Sequence, residues 1–166
     1  MPRQLSLQAL AYLTEREGGC HLTVYDDGFG YATVGVGHLV LDEDGLELGD
    51  DITQKQADDF LQQDLDHFRE AVQRAVPIGL TQCQFDALVI FSFNIGVNAF
   101  TRSTLARRLK TCEISQRCTI VKEEMPRWKN AGGKFSRGLL NRRIDTVQMF
   151  CENDYNVDWS GLEGQQ

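Results

Sequence analysis

Glu17-Gly18-Gly19-Cys20-His21-Leu22-Thr23-Val24-Tyr25-Asp26-Asp27-Gly28-Phe29-Gly30-Tyr31-Ala32-Thr33-Val34-Gly35-Val36-Gly37-His38 is the stretch from which the rest of the chain is read. The helical pattern before it ends on Glu17. The β-branched and aromatic residues that follow are punctuated by Gly28, Gly30, Gly35 and Gly37, which predicts a small antiparallel sheet. Its hairpin presents Asp27 and Thr33. Two carboxylates and a hydroxyl thereby come onto one surface. Carboxylates in unlike environments divide into a general acid and a general base.

Working outward, Leu5, Leu7, Leu10, Tyr12 and Leu13 set among polar residues predict a first helix, with Ser6 as its N-cap. It closes at Gly18-Gly19, where glycine suits the left-handed C-terminal position. On the other side, residues 42–51 read as an acidic surface loop. Thr53-Gln54-Lys55-Gln56 is a capping box. It opens an amphipathic helix over residues 53–76 that Pro77 ends, about 36 Å long at about 1.5 Å per residue. A second box, Thr81-Gln82-Cys83-Gln84, opens a segment over 85–94 that is apolar nearly all round and so belongs at the centre of a helical core. Shorter helices are expected near 103–111, 114–128 and 138–150, a turn at Gly132-Gly133, and a loose tail over 153–166.

The pattern predicts an α+β chain, mostly helical, with two lobes. Residues 14–60 form the small lobe with the sheet, 53–76 the connecting helix, and 1–13 with 80–150 the helical lobe, all within one domain. The 166 residues, 42% hydrophobic, suffice for a sizeable core. No apolar run approaches the about 20 residues of a membrane helix. The first residues hold no apolar signal core, so the expectation is synthesis in the cytoplasm and action after delivery by another machine. Cys20, Cys83, Cys112, Cys118 and Cys151 are odd in number and lack a C-x-x-C pair, which favours free thiols in a reducing compartment. His21, His38 and His67 sit at no zinc-ligand spacing from them, and no metal is expected.

Charge is divided along the chain. Residues 1–70 carry 4 Lys or Arg against 15 Asp or Glu, and residues 71–150 carry 13 against 5. An acidic half and a basic half result, and the basic half can attract an anionic polymer. Nucleic acid is a poor fit, because the basic residues are not interleaved with stacking aromatics.

The ordered set of motifs goes further. A helix ending in Glu17-Gly18 is followed by Tyr25-x-Asp27-x-x-Gly30-x-x-Thr33-Val34-Gly35-x-Gly37-His38. Downstream come Leu80-Thr81-x-x-Gln84-Phe85-Asp86-Ala87-Leu88, Phe93-Asn94-Ile95-Gly96, Ser103-Thr104-Leu105, Arg127-Trp128, Gly132-Gly133-Lys134 and Gly138-Leu139-x-x-Arg142-Arg143. From about Leu10 to Phe150 the chain resembles the phage-type lysozymes, the endolysin muramidases of glycoside hydrolase family 24. The resemblance implies a lysozyme-like fold and hydrolysis of the β-1,4 bond between N-acetylmuramic acid and N-acetylglucosamine in bacterial peptidoglycan.

Carried over by position, the resemblance makes Glu17 the general acid, Asp27 the carboxylate that activates water or stabilises the oxocarbenium-like transition state, and Thr33 the residue that positions that water. Arg142 would pair with Glu17, and His38 with Asp64 in a structural salt bridge. Tyr25, Leu39, Phe93 and Ser103 would line a saccharide cleft, with Asn94 hydrogen-bonded beside it. Ten positions separate Glu17 from Asp27 where the family usually has nine, and Gly19 is the extra residue, which leaves Glu15 as an alternative acid. The family precedent points to inversion. A lytic transglycosylase and a catalytically silent glycan-binding module of the same fold are the rival readings. A holin-dependent release path or a cognate immunity protein would be the accessory partner, no cofactor is needed, and a monomer is expected.

Overall fold

A computed structural model describes residues 3–155. Helix α1 (Leu7–Arg16) leads into an antiparallel sheet of β1 (His21–Asp26), β2 (Ala32–Gly35) and β3 (His38–Leu39), hydrogen-bonded in that order. Helices α2 (Gln54–Asp64), α3 (Asp66–Ala75), α4 (Gln82–Ile95), α5 (Val97–Thr101), α6 (Thr104–Thr111) and α7 (Arg117–Glu124) follow. A small hairpin of β4 (Asn130–Ala131) and β5 (Lys134–Phe135) precedes α8 (Arg137–Glu152). The expected mostly helical α+β organisation is present. The described residues divide into two compact units, Leu10–Asp66 and the flanking residues 3–9 with 67–155.

In the unit Leu10–Asp66 one core cluster is Val24, Val34, Ile52 and Ala57, with Cys20, Ala32, Val40, Leu46 and Phe60 packed around it. Strand alternation explains the selection. Val24 of β1 with Ala32 and Val34 of β2 point to one face of the sheet, and α2 packs on it. Strand β1 runs two residues longer than its partner between the pairs His21–Gly35 and Tyr25–Thr33. The extra length swings out to bond the 49–52 segment: Val24 N–H donates to Asp50 O and Ile52 N–H to Leu22 O. Because the excess is two residues, every side chain keeps its face.

In the other unit α4 is the central element. All residues from Phe85 to Ser92 are buried, and α8 packs along it. Its one acid, Asp86, is fully buried and satisfied. It accepts from Ser6 Oγ (2.6 Å), Ser6 N–H (3.3 Å), Gln82 Nε2 (2.7 Å) and the Tyr155 hydroxyl (2.8 Å). Burial, and then the contact with Asp86, hold the Tyr155 phenol above its ordinary range, against a lowering hydrogen bond with Ser6. The chain around Ser6 and Tyr155 is thereby tied to α4.

Both expected capping boxes form. Thr53 Oγ1 accepts from Gln56 N–H while Gln56 Oε1 accepts from Thr53 N–H, and Thr81 and Gln84 do the same. The helix expected over 53–76 is present as α2 and α3, which meet at Leu65. There the backbone stays near helical (φ −82°, ψ −9°) and Leu65 N–H still bonds Leu61 O. The helix expected over 114–128 is shorter. It is flanked by 3-10 turns at Ile114–Gln116 and Met125–Arg127, the second holding Pro126, which has no N–H for a helical bond. The turn at Gly132-Gly133 joins two strands of two residues each, too short to leave an alternating pattern. Of the tail expected over 153–166, residues 156–166 lie outside the described residues.

All five cysteines are free and half-buried. Burial, then contact with Cys118, pushes the Cys151 thiol up to about 12. No helix among the described residues is long and apolar enough to cross a membrane.

Candidate active site

Glu17 stands at the C-terminal cap of α1. Its N–H donates to Leu13 O (2.9 Å), and its side chain is exposed. The cap is a Schellman arrangement: Gly18 N–H donates to Glu15 O and Gly19 N–H to Thr14 O. Both glycines have positive φ, +92° and +101°, where a side chain would be strained. The additional residue, Gly19, therefore makes the outer bond of the cap, and Glu17 stays at the helix end. Glu15, the alternative acid, is also exposed. Two residues earlier on a helix, it projects to nearly the opposite side, about 200° away.

Asp27 is built into the hairpin turn. The N–H groups of Phe29 and Tyr31 donate to its Oδ1 (2.8 and 3.2 Å), and its own N–H donates to Tyr31 O (3.0 Å). The neighbouring acid, Asp26, takes the alternate donors: Gly28 and Gly30 N–H both reach its Oδ1 (2.7 and 3.3 Å). Four successive backbone donors are thus shared between two adjacent carboxylates. The Asp27 carboxylate is exposed, held through one oxygen, with the other oxygen unbonded among the described residues.

The sheet aligns the other expected residues with it. Tyr25 lies directly across from Thr33, and Thr33 directly across from Leu39. Residues opposite one another project to the same face, so Tyr25, Thr33 and Leu39 form one row across three strands. Asp27 follows two residues after Tyr25, just past the end of β1. Tyr25 is half-buried, Thr33 is buried and Leu39 is 47% exposed. The Thr33 hydroxyl has only a long contact to Tyr31 O (3.4 Å) and is therefore available to a water.

His38 braces this sheet. Its Nδ1 lies 3.0 Å from the Asp64 carboxylate, as expected, and its Nε2 lies 3.2 Å from Asp44 Oδ2. The ring stacks on Phe60 with centroids 4.1 Å apart. The second carboxylate was not foreseen, since it comes from the 42–51 segment read as an acidic surface loop.

The remaining expected residues lie in the other unit. Phe93 is half-buried, with its ring edge-on to Phe68. Ser103 is buried, and its hydroxyl caps α6 by accepting from Ala106 N–H (3.0 Å), so that oxygen already has a structural task. Arg142 is half-buried on α8. Asn94 accepts from the guanidinium of Arg143, which also donates from Nε to Trp128 O (3.0 Å) and lies over the Phe91 ring. Arg143 is a buried arginine beside Asn94 that sequence reasoning missed. A signal for it exists: Arg143, Thr146, Met149 and Phe150 fall on one helical face, and that face is buried.

The family described as Phage lysozyme matches residues 15–146. An endolysin of Bacillus phage PZA is 39% identical over 118 residues, 71% of this chain and 43% of that protein. An endolysin of Salmonella phage P22 is 35% identical over 141 residues, 84% of this chain and 92% of that protein. A solved structure, the endolysin from Escherichia coli O157:H7 phage FAHEc1, superposes with a TM-score of 0.75 at 32% identity, covering 93% of this chain and 98% of that one. The chain spans less than half the length of the Bacillus phage relatives it matches.

Proposed function

Because the chain belongs to the phage lysozyme family, we propose that it is a peptidoglycan hydrolase, a muramidase that cuts the β-1,4 bond between N-acetylmuramic acid and N-acetylglucosamine. The observation that carries this reading is the Asp27 carboxylate, clamped by two backbone N–H groups in the turn between the strands that hold Tyr25 and Thr33. In the proposed reaction Glu17 gives its proton to the glycosidic oxygen as the bond to C1 of the muramic acid breaks. A water held by the Thr33 hydroxyl and Asp27 adds to C1, and its proton passes to Asp27. The leaving sugar departs as an alcohol, and one water is consumed for each bond cut.

This water requirement favours hydrolysis over transglycosylation, in which the muramic acid's own hydroxyl would close an anhydro ring. Purified sacculi, a reducing-end assay and mass spectrometry of the products test the reading. Wild type is expected to release reducing ends with hydrated muramic acid, and Glu17→Gln to release almost none. Products lighter by one water would overturn hydrolysis, and equal inertness of both proteins would overturn the enzyme. We further propose that the protein reaches the wall after transport across the inner membrane, through a holin-dependent path or an injection apparatus.

A further inference from the structure

Folding makes little use of the two aromatic rings at the tip of the β1–β2 hairpin. Phe29 is 86% exposed and Tyr31 58%. Single exposed apolar residues are common on protein surfaces, so exposure alone assigns nothing. Three further observations bear on these two.

The backbone beneath them is already ordered. Gly28 and Gly30 take positive φ on either side of Phe29, and the carboxylates of Asp26 and Asp27 hold four consecutive N–H groups. A ring on such a turn binds with less loss of loop entropy than a ring on a loose one. The rings are also tied to the reacting end of the site. The oxygen of Asp27 that accepts from Phe29 and Tyr31 belongs to the carboxylate assigned to activate water, and Tyr31 lies two residues before Thr33. Finally, the charge around them narrows the ligand. The unit Leu10–Asp66 holds 2 Lys or Arg against 14 Asp or Glu, so it repels the carboxylates of the peptide stems. An uncharged contact fits the glycan backbone itself.

We propose that Phe29 and Tyr31 form an aromatic platform for one pyranose ring of the glycan strand, beside the bond that is cut. The assignment rests on the muramidase reading and specifies how that site holds its polymer. A pyranose presents an apolar C–H face and a polar edge. The Phe29 ring takes the C–H face, and the Tyr31 ring adds apolar area with a hydroxyl for the edge. Neither residue takes part in proton transfer.

The test compares wild type, Phe29→Ala and Phe29→Trp on sacculi, by steady-state kinetics and by co-sedimentation. Phe29→Ala is expected to raise KM about tenfold, corresponding to one lost ring contact, with kcat within about twofold. Phe29→Trp, which keeps a flat ring, is expected to restore KM. Co-sedimentation in the Glu17→Gln background should show the same order. Unchanged KM and binding in Phe29→Ala overturn the platform, as does a Trp variant as weak as the Ala variant. If wild type binds sacculi but cuts nothing, the muramidase reading fails while the co-sedimentation order still judges the platform. If wild type neither binds nor cuts, both fail.

Discussion

Replacing Asp27 by Asn and by Ala separates its two tasks. The carboxylate anchors the hairpin through two backbone N–H groups on Oδ1, and in the proposed reaction it also receives the proton of the attacking water. A hydrogen bond from an N–H to a charged acceptor contributes about 1.5–3 kcal/mol, and less where water competes. Asp27 is exposed, so its two bonds together are taken as about 1–2 kcal/mol. Asp27→Ala loses both. Asp27→Asn keeps a carbonyl oxygen in the same place and should lose about half of that or less. Removing a general base lowers kcat by about 10²–10⁴, and both variants should show it equally. Urea unfolding followed by circular dichroism measures the first effect, and reducing-end release from sacculi the second. An Asn variant with more than a tenth of wild-type kcat would refute the base assignment. An Ala variant as stable as the Asn variant would refute the anchoring argument.

Thr33→Val keeps the shape of a buried side chain and removes a hydroxyl with only a long contact, so it should lower kcat at least tenfold while stability changes by less than about 1 kcal/mol in urea unfolding. Arg143→Met strands Asn94 and the Trp128 carbonyl and removes a guanidinium over Phe91, and it should destabilise by about 3 kcal/mol or more, read in the same assay. Tyr155 gives a pH signature. Its phenol ionises later in the folded protein than in the unfolded chain, so the unfolded state holds fewer protons once pH passes the ordinary phenol value of about 10. The stability from Tyr155 is therefore complete below that pH and lost above it, and Tyr155→Phe should flatten the fall of unfolding free energy in alkaline buffer.

What could be read in advance follows from how far along the chain each interaction reaches. The cap at Gly18-Gly19, the capping boxes at Thr53 and Thr81, and the apolar run of α4 each involve residues within a few positions, and all are present. The row Tyr25–Thr33–Leu39 could also be anticipated, since strand alternation and two short turns fix which residues share a face. The Asp44 partner of His38 was not readable, because an acidic loop pattern does not say which of its acids folds inward. Nor was the clamp on Asp27. It uses backbone N–H groups, which every residue other than proline carries and which therefore leave no mark in the sequence. Yet the clamp changes how the site is understood. The spacing Asp27-Gly28-Phe29-Gly30-Tyr31 reads as a glycine-rich turn, but in the structure it is the carboxylate that closes the turn. In the proposed reaction, fold and chemistry share one group. A substitution that loosens the hairpin should therefore also misplace the base, and one that only neutralises the base should leave the hairpin standing.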